Sequence, residues 1–310
     1  MTKKNNNQEW FADKNISSIA GHNGEIEGVT DLLELKRKEI TNFMKETGFV
    51  PKNISHMLSS CPDTSLSQIE KRLNSLLDKK DDLILISAVF EPESISTMLG
   101  GSRDNLEHGV DILNDNLGKL EQFINKGIFT SKNVAAILSN GASAKEEQTF
   151  AKNVEYLLTK QDELIDFTKT TPYTAGNVST ILDKAMQNTS KEIDELLRSK
   201  DKLIALADNE PFSAENITTM LSRSGENLEK KIYSIERHKD ELNIISNRDG
   251  YDANKLASAL SRVPFENLDR TIIELEKGNV AIIHNDSNRG YKIAALSEAA
   301  EQAEKNKQVA

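Results

Sequence analysis

The apolar positions of this chain fall into two interleaved phrases that return at a common interval. The first opens on an aromatic residue and runs aromatic-x-x-x-x-[Ile/Val/Leu]-x-x-[Ile/Met/Ala]-[Leu/Ala], beginning at Phe11, Phe49, Phe90, Phe129, Tyr173, Phe212 and Tyr251. Inside it the apolar residues stand at i, i+3 and i+4, one face of a helix, as in Ile54, Met57 and Leu58 or Ile217, Met220 and Leu221. Thr130, Thr174, Ser213 and Asp252 occupy the N-cap position before that face, and Glu215 lies in a first turn, where the helix dipole favours negative charge. The second phrase is a pair of apolar residues seven apart: Leu33/Ile40, Leu76/Leu83, Leu113/Leu120, Leu157/Leu164, Leu196/Leu203, Ile235/Leu242 and Leu275/Ile282. Lys and Asp fill the intervals, as in Lys79-Lys-Asp-Asp82. This spacing predicts one longer helix per copy, with a solvated outer face.

Subtracting the positions of the opening aromatics gives steps of 38, 41, 39, 44, 39 and 39 residues. Self-similarity at such a period predicts an all-α solenoid of seven helix-loop-helix repeats of about 38–44 residues, whose stacked units share one continuous core. From the second apolar anchor to the next aromatic there are 9 residues in five of six cases and 7 between Leu83 and Phe90. The length variation sits between the two helices, around Ser60–Ser65 and Asn140–Gln148. A register strict at the stack and loose in one loop points to that loop as the binding face. Residues 1–10 form a polar lead and 11–284 the array. Residues 285–310 then read as a linker (Asn285-Asp-Ser-Asn-Arg-Gly290) followed by a helix-prone tail, Tyr291–Val309.

Two copies carry a family resemblance. Phe129-Thr-Ser-Lys-Asn-Val-Ala-Ala-Ile-Leu-Ser-Asn-Gly141, and the copy that runs from Phe11 to Gly24, resemble repeats of the transcription-activator-like (TAL) effectors and their shorter bacterial relatives. Mitochondrial transcription-termination-factor repeats share a similar phrase. The TAL-effector resemblance spans roughly residues 11–283 and implies a right-handed α-solenoid superhelix around double-stranded DNA, with two loop residues per repeat entering the major groove. Carried over by position, those pairs are His22-Asn23, Ser60-Cys61, Gly101-Ser102, Asn140-Gly141, Lys184-Ala185, Arg223-Ser224 and Arg262-Val263. In that reading Arg223 and Arg262 bond guanine or meet phosphate. In the competing one they are helix C-terminal charges, and Asn140-Gly141 is an ordinary turn. The opening aromatics recur in register with the apolar stripes and are expected in the packing between repeats.

Charge changes the picture. The formal net charge is −10, from 49 acidic against 39 basic residues, and acidic residues such as Glu25, Asp63, Asp104 and Glu226 flank the loop pairs. Such a surface repels polyanions at long range and favours the alternative function, a scaffold that holds a protein partner on the same loops. The single cysteine, Cys61, excludes an intrachain disulfide, and the five histidines have no ligand spacing. Glycine-rich phosphate loops, zinc-protease and nucleophile-elbow motifs are missing, so no enzyme activity, cofactor or metal is expected. No apolar run reaches the roughly 18 residues of a membrane span, and a soluble, cytoplasmic and monomeric chain is expected. Glu298, Glu301 and Glu304 near the C-terminus resemble a secretion signal of intracellular bacteria. That implies an effector delivered into a host cell, and into its nucleus if it binds DNA. The other reading of this segment is a Glu-rich helix.

Overall fold

The computed structural model describes residues 10–21, 26–59, 65–100, 105–139, 147–183, 189–208, 210–222, 224, 227–248, 250–285 and 290–296. Among them are twenty helices and one two-stranded sheet. The chain divides into two compact units, Met1–Thr159 and Lys160–Ala310. In the first unit the elements are α1 (Asp13–Ala20), α2 (Ile26–Leu35), α3 (Arg37–Thr47), α4 (Pro51–Ser59), α5 (Leu66–Asp78), α6 (Lys80–Ser87), α7 (Pro92–Leu99), α8 (Leu106–Asp115), α9 (Leu117–Asn125), α10 (Ser131–Ile137) and α11 (Glu147–Thr159). The second unit holds α12 (Gln161–Thr170), α13 (Ala175–Ile181), α14 (Thr189–Arg198), α15 (Lys200–Ala207), α16 (Ala214–Leu221), α17 (Leu228–Arg237), α18 (Lys239–Ser246), α19 (Ala253–Leu260) and α20 (Phe265–Lys277). Two strands follow, β1 (Val280–Asn285) and β2 (Gly290–Ala295).

Short helices begin where the sequence places their caps. The hydroxyls of Thr130, Thr174 and Ser213 accept the backbone N–H three residues on, and the Oδ1 atoms of Asn133, Asn177 and Asn216 accept the N-cap N–H in return. Two otherwise orphaned donors are satisfied reciprocally at each start. Asp252 caps α19 through the N–H of Lys255.

The opening aromatics are core, as expected. Six of the seven are buried, and Tyr251 is half-buried. Three of them meet an aromatic six positions earlier: Phe43–Phe49, Phe123–Phe129 and Phe167–Tyr173, with ring centroids 5.6, 5.5 and 6.0 Å apart. Both tyrosines reach the second anchor of their own repeat. The Tyr173 hydroxyl donates to the Leu203 carbonyl at 3.1 Å, and that of Tyr251 accepts the Ile282 N–H at 3.3 Å. Burial pushes the Tyr173 phenol above its ordinary pKa.

The single longer helix per repeat requires correction. In the first six copies it is two helices, broken three residues after the first anchor, at Lys36, Lys79, Asn116, Lys160, Ser199 and His238; in the seventh, α20 ends at the equivalent residue, Gly278. At all six of these breaks φ lies between −86° and −100° and ψ between 0° and 22°. The turn interrupts few hydrogen bonds. Lys36, Lys79, Ser199 and His238 still donate to the carbonyl four residues back, and each of the first six breaks accepts from the N–H four residues on. A seven-residue apolar spacing survives such a kink unchanged. The side chains show what stabilises it: Lys36–Glu39, Lys79–Asp82, Lys160–Glu163 and His238–Glu241 pair at i,i+3. Each places a basic group at the end of one helix and a carboxylate in the first turn of the next, where the two dipoles favour them.

The C-terminal region also departs from expectation. Ile282 is in a strand, and residues 291–295 are a strand rather than a helix. Val280–Asn285 and Gly290–Ala295 pair antiparallel, with Ile282 opposite Ile293. Gly278 is left-handed (φ 75°), and the N–H of Asn279 returns to the Glu274 carbonyl, so α20 stops where earlier helices only bend. The β-branched run Val280-Ala-Ile-Ile283 then suits extended backbone. Strand β2 packs on α19, so in this unit it takes the side of α19 that a following short helix would cover. The rest of the expected tail, 297–310, and the turn 286–289 lie outside the described residues.

Two glycines give opposite expectations. No atom lies within 4 Å of a Cβ at either Gly278 or Gly118, but only Gly278 has positive φ. Gly278→Ala is expected to destabilise by about 1 kcal/mol through backbone strain, and Gly118→Ala, in exposed α9, to stabilise by about 0.5–1 kcal/mol. Urea midpoints check both.

Candidate functional site

Within each unit the short helices pack side by side in order: α1 on α4, α4 on α7 and α7 on α10, then α13 on α16 and α16 on α19. Buried small residues at one position, Ser55, Ser96 and Ala135, then Ser179, Thr218 and Ala257, leave room for close neighbours. Asn216 donates across to Asn254 at 2.6 Å. Caps fix the starts and the stacked faces fix the ends, so in each unit the inter-helix loops leave from equivalent points.

Most of the expected loop pairs fall on residues outside the described set: His22, Asn23, Ser60, Cys61, Gly101, Ser102, Asn140, Gly141, Lys184, Ala185 and Arg223. Three are described. Ser224 is turned inward, with its hydroxyl donating to the Leu221 carbonyl at the end of α16, and offers no outward donor. Arg262 and Val263 are half-buried. Arg262 lies against the hairpin, where a Cβ at Gly290 would stand 2.6 Å from its Nη2. The structure therefore brings Arg262 to β2 and the groove lined by Val280, Lys292 and Ile293.

Sequence reasoning missed a polar position under these loops. Seven residues before the break, on the first long helix of a repeat, stand Arg72, Asn153, Glu192 and Lys231, each at most 9% exposed. Arg72 shows the role: its Nη2 donates to the Met57 carbonyl in the last turn of α4, an acceptor the helix leaves unsatisfied just before its loop. The available signal was a charged residue at a phase the apolar stripe assigns to the core. Lys231 is the extreme case, with desolvation lowering its ammonium to about 8.

Between neighbouring repeats runs a ladder of ion pairs. It comprises Lys80–Glu46 at 2.7 Å, Lys79–Asp111 at 2.5 Å and Lys119–Glu155 at 2.7 Å in the first unit. In the second it comprises Lys160–Asp194 at 3.7 Å, Lys200–Asp166 at 2.9 Å, Arg198–Glu229 at 3.7 Å, Lys202–Glu236 at 2.9 Å and Arg237–Asp269 at 3.2 Å. Asp111 raises the pKa of Lys79 and Glu46 that of Lys80, while Lys119 lowers that of Glu155. Such half-exposed pairs are worth about 0–1 kcal/mol each, so they fix register more than stability.

In the second unit the ladder borders a groove of about 430 Å³ lined by Arg198, Lys202, Lys230, Tyr233, Arg237 and Phe265 among others. Tyr233 is half exposed, with the Lys202 ammonium 4.6 Å and the Arg237 guanidinium carbon 4.9 Å from its ring centre, and Lys230 stands 5.8 Å from that of Phe265. Each cation is attracted by the negative face of its ring, and Lys202 and Arg237 are at the same time paired with Glu236 and Asp269. Among the described residues no group of three His, Cys, Asp or Glu is placed to hold a metal ion, and no helix is long and apolar enough to cross a membrane. No protein-family model, curated protein or solved structure matches the chain.

The Lys231 pKa fixes a sign. It lies below the unfolded value of 10.5, so between pH 8 and 10.5 the unfolded chain binds the extra proton and stability rises with pH. Wild type is expected to gain up to ~3 kcal/mol over that window relative to Lys231→Met, which is the more stable of the two at pH 7. Denaturant midpoints of both proteins at pH 7, 8, 9 and 10 check this.

Proposed function

We propose that this chain is a non-enzymatic repeat protein, a right-handed α-solenoid of seven helix-loop-helix units, that binds double-stranded DNA through its inter-helix loops. The observation that carries the reading is the common register of the short helices. Capped at one point and packed side by side within each unit, they deliver one loop per repeat at equivalent places. A ligand with a repeating unit is the natural complement of such a row. The TAL-effector resemblance of the short-helix phrases names duplex DNA as that ligand.

A second reading, a scaffold for a protein partner, is favoured by the ladder, which neutralises the cations between repeats in a chain of net charge −10. Selection of purified protein on a randomised duplex pool at near-physiological salt separates the two. Duplex reading is expected to enrich a motif of about seven base pairs, one for each of the seven repeats. Arg223→Ala should then relax one position by about 1–3 kcal/mol. An unenriched pool, together with salt-independent retention of bulk duplex, would sink the DNA reading and leave the scaffold.

A further inference from the structure

Gly290 is a glycine for a reason its backbone does not supply. It opens β2 with φ outside the left-handed region, yet a Cβ there would stand 2.6 Å from Nη2 of Arg262 and 3.3 Å from its guanidinium carbon. The absent side chain leaves the berth in which that guanidinium lies. Arg262 is half-buried, and among the described residues its side chain has no hydrogen bond or ion pair. A cation drawn partly out of water without a partner is costly, so this placement points to a ligand.

Beside it is a groove of about 470 Å³ between the end of α19, α20 and the hairpin, within the size range of small-ligand sites. Asn267, Arg270, Thr271 and Glu274 stand at i, i+3, i+4 and i+7, so α20 turns one face into it. The equivalent face of α17 is occupied, since Ser234, in the place of Glu274, donates to Asp269 of the next repeat. No long helix follows α20 among the described residues, and its face is left open. The lining is rich in donors and poor in acceptors. Arg262, Arg270 and Lys292 bring three cations. The side chains of Arg270, Asn267 and Thr271 are, like that of Arg262, without a hydrogen bond or ion pair among the described residues. The one carboxylate is Glu274, whose Oε2 already accepts from the Asn279 amide at 2.8 Å. Val280 and Ile293 add an apolar wall.

We propose that this groove binds a small anion bearing a diphosphate, held by Arg262 and Arg270 with Lys292 and the Thr271 hydroxyl. Two guanidiniums on different elements suit two phosphoryl groups, because each fork can give a pair of parallel hydrogen bonds to one of them. A single carboxylate would leave most of these donors unmet. The groove stands beyond the last long helix and is closed on one side by the hairpin, so it takes a compact ligand rather than a polymer that continues past every repeat. The site is independent of the duplex reading. It shares one side chain with that reading, Arg262, which a bound diphosphate would hold inside the groove and away from the seventh loop.

The test is isothermal titration calorimetry of the full chain with inorganic pyrophosphate at near-physiological salt. One site is expected, which Arg262→Gln and Arg270→Gln each weaken about tenfold or more. Lys38→Gln and Lys45→Gln remove exposed cations elsewhere, with the same change in net charge, and are expected to leave binding unchanged. Gly290→Ala should weaken it as Arg262→Gln does, and the two together no more than either alone. Damage to the hairpin would not produce that coupling, and circular dichroism confirms that each variant folds. Absence of binding, equal losses in the Lys38 and Lys45 variants, or additive losses from Gly290→Ala and Arg262→Gln would overturn the proposal. So would orthophosphate binding as tightly as pyrophosphate, which removes the diphosphate class. Mixed-sequence duplex displacing pyrophosphate charge for charge would overturn it too, by assigning the groove to nucleic acid.

Discussion

One aromatic ring per repeat, opening the short helix and buried in six of the seven repeats, is the constraint on which the other features turn. Burying a phenylalanine side chain contributes about 1.5–3 kcal/mol, and the pairs Phe43–Phe49 and Phe123–Phe129 add about 0.5–1.5 kcal/mol each. Tyr173 and Tyr251 meet the second anchor of their own repeat only because the chain between turns at the loop and again at the break. That is why the distance from second anchor to next ring is nearly constant while the loop is free to lengthen. The break is cheap because its hydrogen bonds persist, and the i,i+3 pairs across it suit the dipoles of both helices.

Charge is sorted around this frame. Carboxylates and cations that face a neighbouring repeat pair off, which contributes little stability but penalises a slipped register, since like charges would then meet. Polar groups under the loops are sorted the same way, with Arg72 inside tying down the end of α4.

Much of the repeat was legible because it rests on periodicities. The aromatic openings, the i, i+3, i+4 faces and the caps at Thr130, Thr174, Ser213 and Asp252 follow from local chemistry alone. The break was not legible, because seven residues return to the same phase whether the helix runs straight or kinks with its bonds kept. Its marker, a basic residue three positions after the anchor with an acid three further on, is visible at Lys36, Lys79, Lys160 and His238 once the break is known. The hairpin was hidden by composition: Tyr291–Ala295 sits beside an Ala- and Glu-rich run that favours helix, and only the left-handed Gly278 and the β-branched Val280–Ile283 argue otherwise. Of the loop pairs, Ser224 faces inward and Arg262 faces the hairpin, because their surroundings are set by tertiary contacts that position counting does not see.

The strand that lies on α19 has a consequence for how such a chain could change in length. Within each unit a short helix is a template for the next one, so a copied repeat can be spliced in where helix meets helix. An extended strand offers no such template. Its backbone hydrogen bonds run to its partner strand, and Gly278 has already turned the chain out of helical geometry. Duplication or deletion of whole repeats is thus permitted on the N-terminal side of α19 and blocked beyond it, and the hairpin would be carried along unchanged as the full stop of a sentence whose words can be added or removed.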